Sequence, residues 1–195
     1  MKEIKTDSII TEDKILFFDM DGTLVDTNWA NFLAYNKAIK SVTKTDTDQT
    51  YNTLIRFNRS VLKITVPCLT ESVYDMIIQE KENFYEDFLH ETKLIQENVD
   101  ILNKYSQTNK TVLVTNCRKD RALTTLNYFE LTDRFSKIFY REISKQKQKI
   151  NKFQNAISKL GVNPNNIIAF ENEETEINDA LEAGIKIINP KIMSI

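Results

Sequence analysis

Short, wholly apolar runs recur along the chain, and each ends at polar or turn-forming residues. The first is Lys14-Ile-Leu-Phe-Phe18, followed much later by Thr111-Val-Leu-Val-Thr115, Lys137-Ile-Phe-Tyr140, Ile167-Ile-Ala-Phe170 and Ile185-Lys-Ile-Ile188. A run without polar alternation reads as a strand buried on both faces, which is the signature of a parallel sheet. Helical spacing fills the gaps between the later runs. Lys119 to Phe129 places Ala122, Leu123, Leu126 and Phe129 on one face, and Ile150 to Leu160 does the same with Phe153, Ala156, Ile157 and Leu160. The second of these stops at Gly161, and a third, Thr175 to Ala183, stops at Gly184. Glycine after a helix is a common C-terminal cap. The alternation predicts an α/β doubly wound, Rossmann-like parallel sheet of about five strands.

The stretch from 28 to 94 breaks this rhythm. Trp29, Phe32, Leu33 and Ile39 repeat at helical spacing, as do Leu54, Ile55, Val61 and Leu62, and then Val73, Met76, Ile77, Phe84, Phe88 and Leu89. No strand pattern interrupts them, so an all-helical insert is predicted between the first two strands of the sheet. The polar segment Thr43 to Thr50 and the break at Val66-Pro67-Cys68 read as loops inside it. The chain is therefore expected to divide into a sheet-bearing core, 1–27 with 95–195, and a helical cap, 28–94.

Composition narrows the function classes. With 195 residues, 41% hydrophobic and 28% charged, the chain is long enough for a substantial core. A formal net charge of −2 gives no electrostatic reason to expect nucleic acid or a membrane surface. No run approaches the ~20 apolar residues of a membrane span, and the N-terminus lacks the apolar stretch of a signal peptide. Cys68 and Cys117 form neither a metal-ligand spacing nor a disulfide framework, so a reduced cytoplasmic setting is expected. The single histidine, His90, lies in a polar helical stretch and reads as a surface residue, which argues against histidine-dependent catalysis. Arg56, Arg59 and Lys63 share a helical spacing and read as a solvated basic face.

The chemistry is concentrated where the first strand ends. Asp19 and Asp21 stand one residue apart beyond Phe18, and Gly22 turns the chain. In an open parallel sheet the ligand crevice lies at the carboxyl ends of the strands. Two acids this close repel unless a cation or proton lies between them, and a hard cation such as Mg²⁺ resolves that conflict. The ordered string Phe17-Phe-Asp-Met-Asp-Gly-Thr-Leu-Val-Asp-Thr27 closely resembles the first motif of the haloacid dehalogenase-like phosphohydrolases. The helical insert is similar to the cap of the subfamily that includes phosphoglycolate phosphatase and β-phosphoglucomutase.

The resemblance implies that Asp19 attacks phosphorus to form an aspartyl-phosphate. Asp21 then protonates the leaving alcohol and activates the hydrolytic water. It further implies Mg²⁺ held by Asp19 and the main-chain carbonyl of Asp21, with Gly22 and Thr23 facing the substrate. Leu113-Val-Thr-Asn-Cys117 resembles the second motif, with Thr115 bonding the transferring group, Asn116 beside it and Arg118 placed to meet a ligand. The family also requires a lysine, and its usual distance from Leu160-Gly161 favours Lys147, with Lys145 and Lys149 as alternatives. In the fourth motif, Glu171 and Asn172 fall in metal-binding slots, Asn172 where an aspartate is usual, and Glu176 follows one turn later. Glu173 and Glu174 read as the acidic first turn of a helix.

The expected activity is Mg²⁺-dependent hydrolysis of a small phosphomonoester metabolite by a cytoplasmic monomer or homodimer. Phosphomutase activity and a binding protein weakened by Asn172 are the alternatives.

Overall fold

The computed structural model describes residues 9–45, 50–53, 55–142 and 150–190. The chain forms two compact units, one running up to Val25 and resuming at Leu94, the other Asp26–Lys93.

The first unit is built on five parallel strands: β1 (Ile15–Phe18), β4 (Lys110–Val114), β5 (Lys137–Phe139), β6 (Ile167–Phe170) and β7 (Ile187–Ile188). The remaining strands are the two-residue β2 (Val25–Asp26) and β3 (Lys93–Leu94), a small two-stranded pair where the chain leaves and re-enters this unit. The sheet order is β5-β4-β1-β6-β7. The strand order therefore reverses around β1, the arrangement that opens a crevice at the strand tips. Side chains alternate between two cores. Leu16, Phe18, Leu113, Ile168 and Phe170 enter one, while Phe17, Val112, Val114, Ile167 and Ala169 enter the other. Both faces are covered, which is why these strands read as unbroken apolar runs.

The helices of this unit are α4 (Gln96–Tyr105), α5 (Lys119–Tyr128), α6 (Lys152–Leu160) and α7 (Glu174–Glu182). The Asn151 side chain caps α6 by accepting from the backbone N–H groups of Phe153 and Gln154, and Gly161 ends that helix at φ +63°. The five strands and α5, α6 and α7 lie within a few residues of the positions expected from periodicity, while α4 was not among the expected helices.

The second unit contains α1 (Asn28–Thr43), α2 (Arg59–Thr65), α3 (Glu71–Tyr85) and a 3₁₀ turn at Glu86–Glu91. Phe32, Tyr35, Ile39, Leu62, Tyr74 and Ile77 form its core. Leu54 and Asp46–Gln49 lie outside the described residues. Ile55 and Arg56 precede α2 rather than belonging to it, because Asn58 caps that helix by accepting from Ser60 and Val61. The expected basic face is consequently shorter, and α3 neutralises it. Arg59 pairs with Glu71 at 3.1 Å and Asp75 at 2.7 Å, and Lys63 pairs with Glu71 at 2.5 Å. His90 is exposed, as expected. No described helix is long and apolar enough to cross a membrane.

Leu16 is fully buried at the centre of the sheet. Leu16→Ala is expected to cost about 2–5 kcal/mol in urea unfolding. By contrast Leu181→Ala, at a position 53% exposed, should stay within roughly 0.5 kcal/mol of wild type.

Candidate active site

The register of the sheet decides which acids meet. Phe18 of β1 is the partner of Phe170 of β6, and the Asp19 N–H donates to the Phe170 carbonyl at 3.0 Å. The residues that follow, Asp19 and Glu171, therefore emerge side by side, both buried. The ammonium of Lys152 lies between them, 2.8 Å from Asp19 Oδ1 and 2.6 Å from Glu171 Oε2. It also stands 3.7 Å from Glu176 Oε2. Lys152 opens α6, directly after the Asn151 cap. Lys145, Lys147 and Lys149 lie outside the described residues, and the lysine found against the first-motif acid is Lys152.

The charges shape one another. Burial alone would lower the Lys152 ammonium, but the charges of Asp19 and Glu171 and its hydrogen bonds to both hold it well above the usual lysine value. Glu171 is pushed up to about 7, by burial first and then by the charge of Asp19, with Lys152 opposing only in part. One ammonium shared between two buried carboxylates leaves the second short of compensation.

The loop after β1 coils tightly on itself. Thr23, Leu24 and Val25 all donate to the Met20 carbonyl, and Gly22 donates to that of Val25. Gly22 has φ +85°, and a Cβ there would come within 2.5 Å of Asn172 Nδ2. Thr23 is buried, with its hydroxyl donating to Asn172 Oδ1 at 3.1 Å. It ties the loop after β1 to the segment after β6. Asp21 is buried as well, and Arg121 of α5 donates to its Oδ2 at 2.7 Å.

Beyond β4, Thr115 is buried and its Oγ1 accepts from the Cys117 N–H at 3.1 Å. Asn116 donates to Glu176 Oε2 at 2.9 Å. Arg118 occupies the N-cap position of α5. It lines a cavity of about 620 Å³ with Lys119, Asp120, Leu123 and Arg141. The structure thus brings Asp19, Glu171, Glu176 and Asn116 together through Lys152, and Thr23 with Asn172. Glu173 and Glu174 are exposed at the start of α7, as a solvated acidic first turn should be.

Lys152 and Arg121 were missed in the sequence. Lys152 had a legible signal, since it falls on the stripe of Ala156 and Leu160 in a helix whose other face is polar. A lysine on an apolar stripe implies a buried partner. Asn189 was also missed. Its Oδ1 accepts from the Glu171 N–H at 2.8 Å and its Nδ2 donates to the Glu171 carbonyl, fixing the tip of β6.

The donor set fits a hard cation. The oxygens at the tips of β1 and β6 are the Asp19 carboxylate, the Asp21 carbonyl, the Asn172 amide and Glu171, whose Oε1 accepts from the N–H groups of Asn172 and Glu173 at 2.9 and 3.0 Å. Among the described residues no three His, Cys, Asp or Glu side chains converge as a dedicated metal cage. Mg²⁺ needs none, being commonly held by one or two carboxylates with carbonyls, water and substrate oxygens. The buried acids Asp19, Asp21, Glu171 and Glu176 are bridged, among the described residues, by two cations, Lys152 and Arg121.

These strand-tip acids on a doubly wound sheet define a hydrolase of the haloacid dehalogenase-like class. The chain belongs to that family, whose model, described as haloacid dehalogenase-like hydrolase, matches residues 16–189. It is 25% identical over 180 residues to the phosphorylated carbohydrates phosphatase of Thermotoga maritima, covering 89% of this chain and 82% of that one. A haloacid dehalogenase-like hydrolase of Streptococcus pneumoniae shares the fold at TM-score 0.69 and 19% identity, over 91% of this chain and 84% of the other. The solved structure from Haemophilus somnus described as a "predicted phosphoglycolate phosphatase" does so at TM-score 0.73 and 22% identity, over 90% and 84%.

Gly22→Ala tests how closely the two loops are fitted. An added methyl strains φ +85° and displaces the Asn172 amide. The expected outcome is a loss of more than about 1 kcal/mol in thermal unfolding, with the Thr23–Asn172 hydrogen bond absent from a crystal structure of the variant.

Proposed function

We propose that this enzyme hydrolyses a phosphomonoester of a small phosphorylated metabolite, with Asp19 as nucleophile and Asp21 as the acid–base group. The observation that carries the reading is the Lys152 ammonium held on Asp19 Oδ1 at 2.8 Å, beside a second buried aspartate. The phosphatase of Thermotoga maritima, named for phosphorylated carbohydrates, supports the same class of substrate.

Each residue has work that follows from its surroundings. Lys152 holds Asp19 Oδ1 and orients the carboxyl, so that its oxygen meets phosphorus. The same ammonium offsets charge as it builds on the phosphoryl oxygens. The Thr115 hydroxyl, already fixed as an acceptor by the Cys117 N–H, still has a proton to donate to a phosphoryl oxygen. Asp21 gives a proton to the departing alcohol and then takes one from the water that releases phosphate from Asp19. Mg²⁺, when held by Asp19, the Asp21 carbonyl, Asn172 and Glu171, supplies positive charge for the phosphoryl oxygens.

Hydrolysis of p-nitrophenyl phosphate with Mg²⁺ is the direct assay. Asp19→Asn should abolish it, and Lys152→Ala should lower kcat by about 10²–10³-fold. An Asp19→Asn protein that still turns over would sink the assignment. Ion binding has its own readout. Millimolar Mg²⁺ should raise the melting temperature of the wild-type protein through preferential binding to the folded state, and Asp19→Ala should remove most of that rise.

A further inference from the structure

Asp21 must be aimed as well as present, and the residue that aims it comes from another element. Arg121 lies in the first turn of α5, where a helix gains from acidic rather than basic side chains. Nothing in the helix itself calls for it. Its guanidinium is nearly buried and gripped at both ends: Nη2 donates to Asp21 Oδ2 at 2.7 Å, and Nε donates to Cys117 Sγ at 2.9 Å. Cys117 is fixed in turn. Its N–H donates to Thr115 Oγ1 at 3.1 Å, and its carbonyl accepts from the Arg141 N–H at 3.0 Å. A continuous set of hydrogen bonds therefore runs from the tip of β4 through Cys117 and Arg121 to the Asp21 carboxyl.

We propose that Arg121 is a positioning residue for acid–base transfer: by holding Oδ2 it fixes the plane of the Asp21 carboxyl for proton exchange. The inference rests on the phosphatase reading given above. A protonated carboxyl keeps acceptor capacity, so the contact persists through both halves of the reaction. In the first half an Asp19 oxygen bonds to phosphorus, and the bond to the leaving oxygen breaks with its electron pair. That oxygen takes the proton from the Asp21 carboxyl. In the second half water bonds to phosphorus, its proton passes to the Asp21 carboxylate, and the Asp19–phosphorus bond breaks to restore the Asp19 carboxylate. The planar fork of arginine makes both of its contacts at once, and a lysine ammonium cannot reproduce that geometry.

Leaving-group dependence separates this role from a merely structural ion pair. An alkyl leaving group needs a proton as it departs, whereas p-nitrophenolate is stable without one, so misplacing the acid penalises only the former. The quantity to compare is kcat/KM, which reports steps up to release of the alcohol. For Arg121→Leu, kcat/KM on an alkyl phosphate such as glycerol phosphate should fall by about 10–10²-fold, and on p-nitrophenyl phosphate by less than about threefold. Arg121→Lys, which keeps the charge but loses the fork, should show the same asymmetry to a smaller extent. Equal losses on both esters, or no loss on either, would overturn the proposal. A crystal structure of Arg121→Leu adds a readout independent of turnover: an Asp21 carboxyl still within about 0.5 Å of its original position would also overturn it. Activity persisting in Asp19→Asn would instead defeat the phosphatase reading itself, whatever Arg121 does.

Discussion

The placement of Lys152 between Asp19 and Glu171 is the contact on which the site depends. Parallel pairing of β1 with β6 leaves no freedom about it, because the register that pairs Phe18 with Phe170 delivers the next two side chains to the same spot. The rings of those phenylalanines stack 4.5 Å apart between centroids and lock the two strand ends together. Two buried carboxylates cannot share such a place without positive charge, and the Asn151 cap starts α6 where its first residue supplies it. The arrangement contributes little net stability, since desolvating three charges costs about as much as their attraction returns. Its value lies in holding a carboxylate oriented, beside a fixed positive charge, where no solvent does so.

Around that contact the other side chains are held by links between different strand tips rather than within one loop. Thr23 reaches Asn172, Asn116 reaches Glu176, and Arg121 reaches Asp21. Each link joins residues far apart in sequence, so the loops after β1, β4 and β6 act as one rigid rim. Reacting groups that must be placed within a fraction of an ångström benefit from such cross-bracing. The glycine at 22 belongs to the same logic, since any side chain there would occupy the space of Asn172.

Most of the fold was legible because apolar runs and helical stripes are local signals, and the five strands and helices α5, α6 and α7 lie where the patterns put them, whereas α4 was not read. The first-motif acids were legible for the same reason, being packed into a few residues. Lys152 was harder. The lysines at 145, 147 and 149 stand in a polar run that draws attention, whereas Lys152 sits unobtrusively on a stripe with Ala156 and Leu160. Which lysine meets Asp19 depends on where α6 begins, and that is fixed by a cap and by tertiary packing. Arg121 had no sequence signal at all, because its partner lies 100 positions away. The basic spacing of Arg56, Arg59 and Lys63 misled for the opposite reason: the acids that neutralise it come from α3, and Arg56 precedes the helix.

Asn172 takes on a different meaning in this setting. Replacing an expected aspartate by an amide removes one negative charge from the rim, yet Glu176 is buried one turn further on, 3.7 Å from Lys152. The buried carboxylate next to the amide, Glu171, is already pushed up to about 7. A third full charge at position 172 would press it further, because like charges at short range favour the protonated form. The amide keeps an oxygen in place for a cation without adding to that repulsion. The amide at 172 therefore spares Glu171 a further like charge at the tip of β6, while Glu176, one turn along α7, accepts from Asn116.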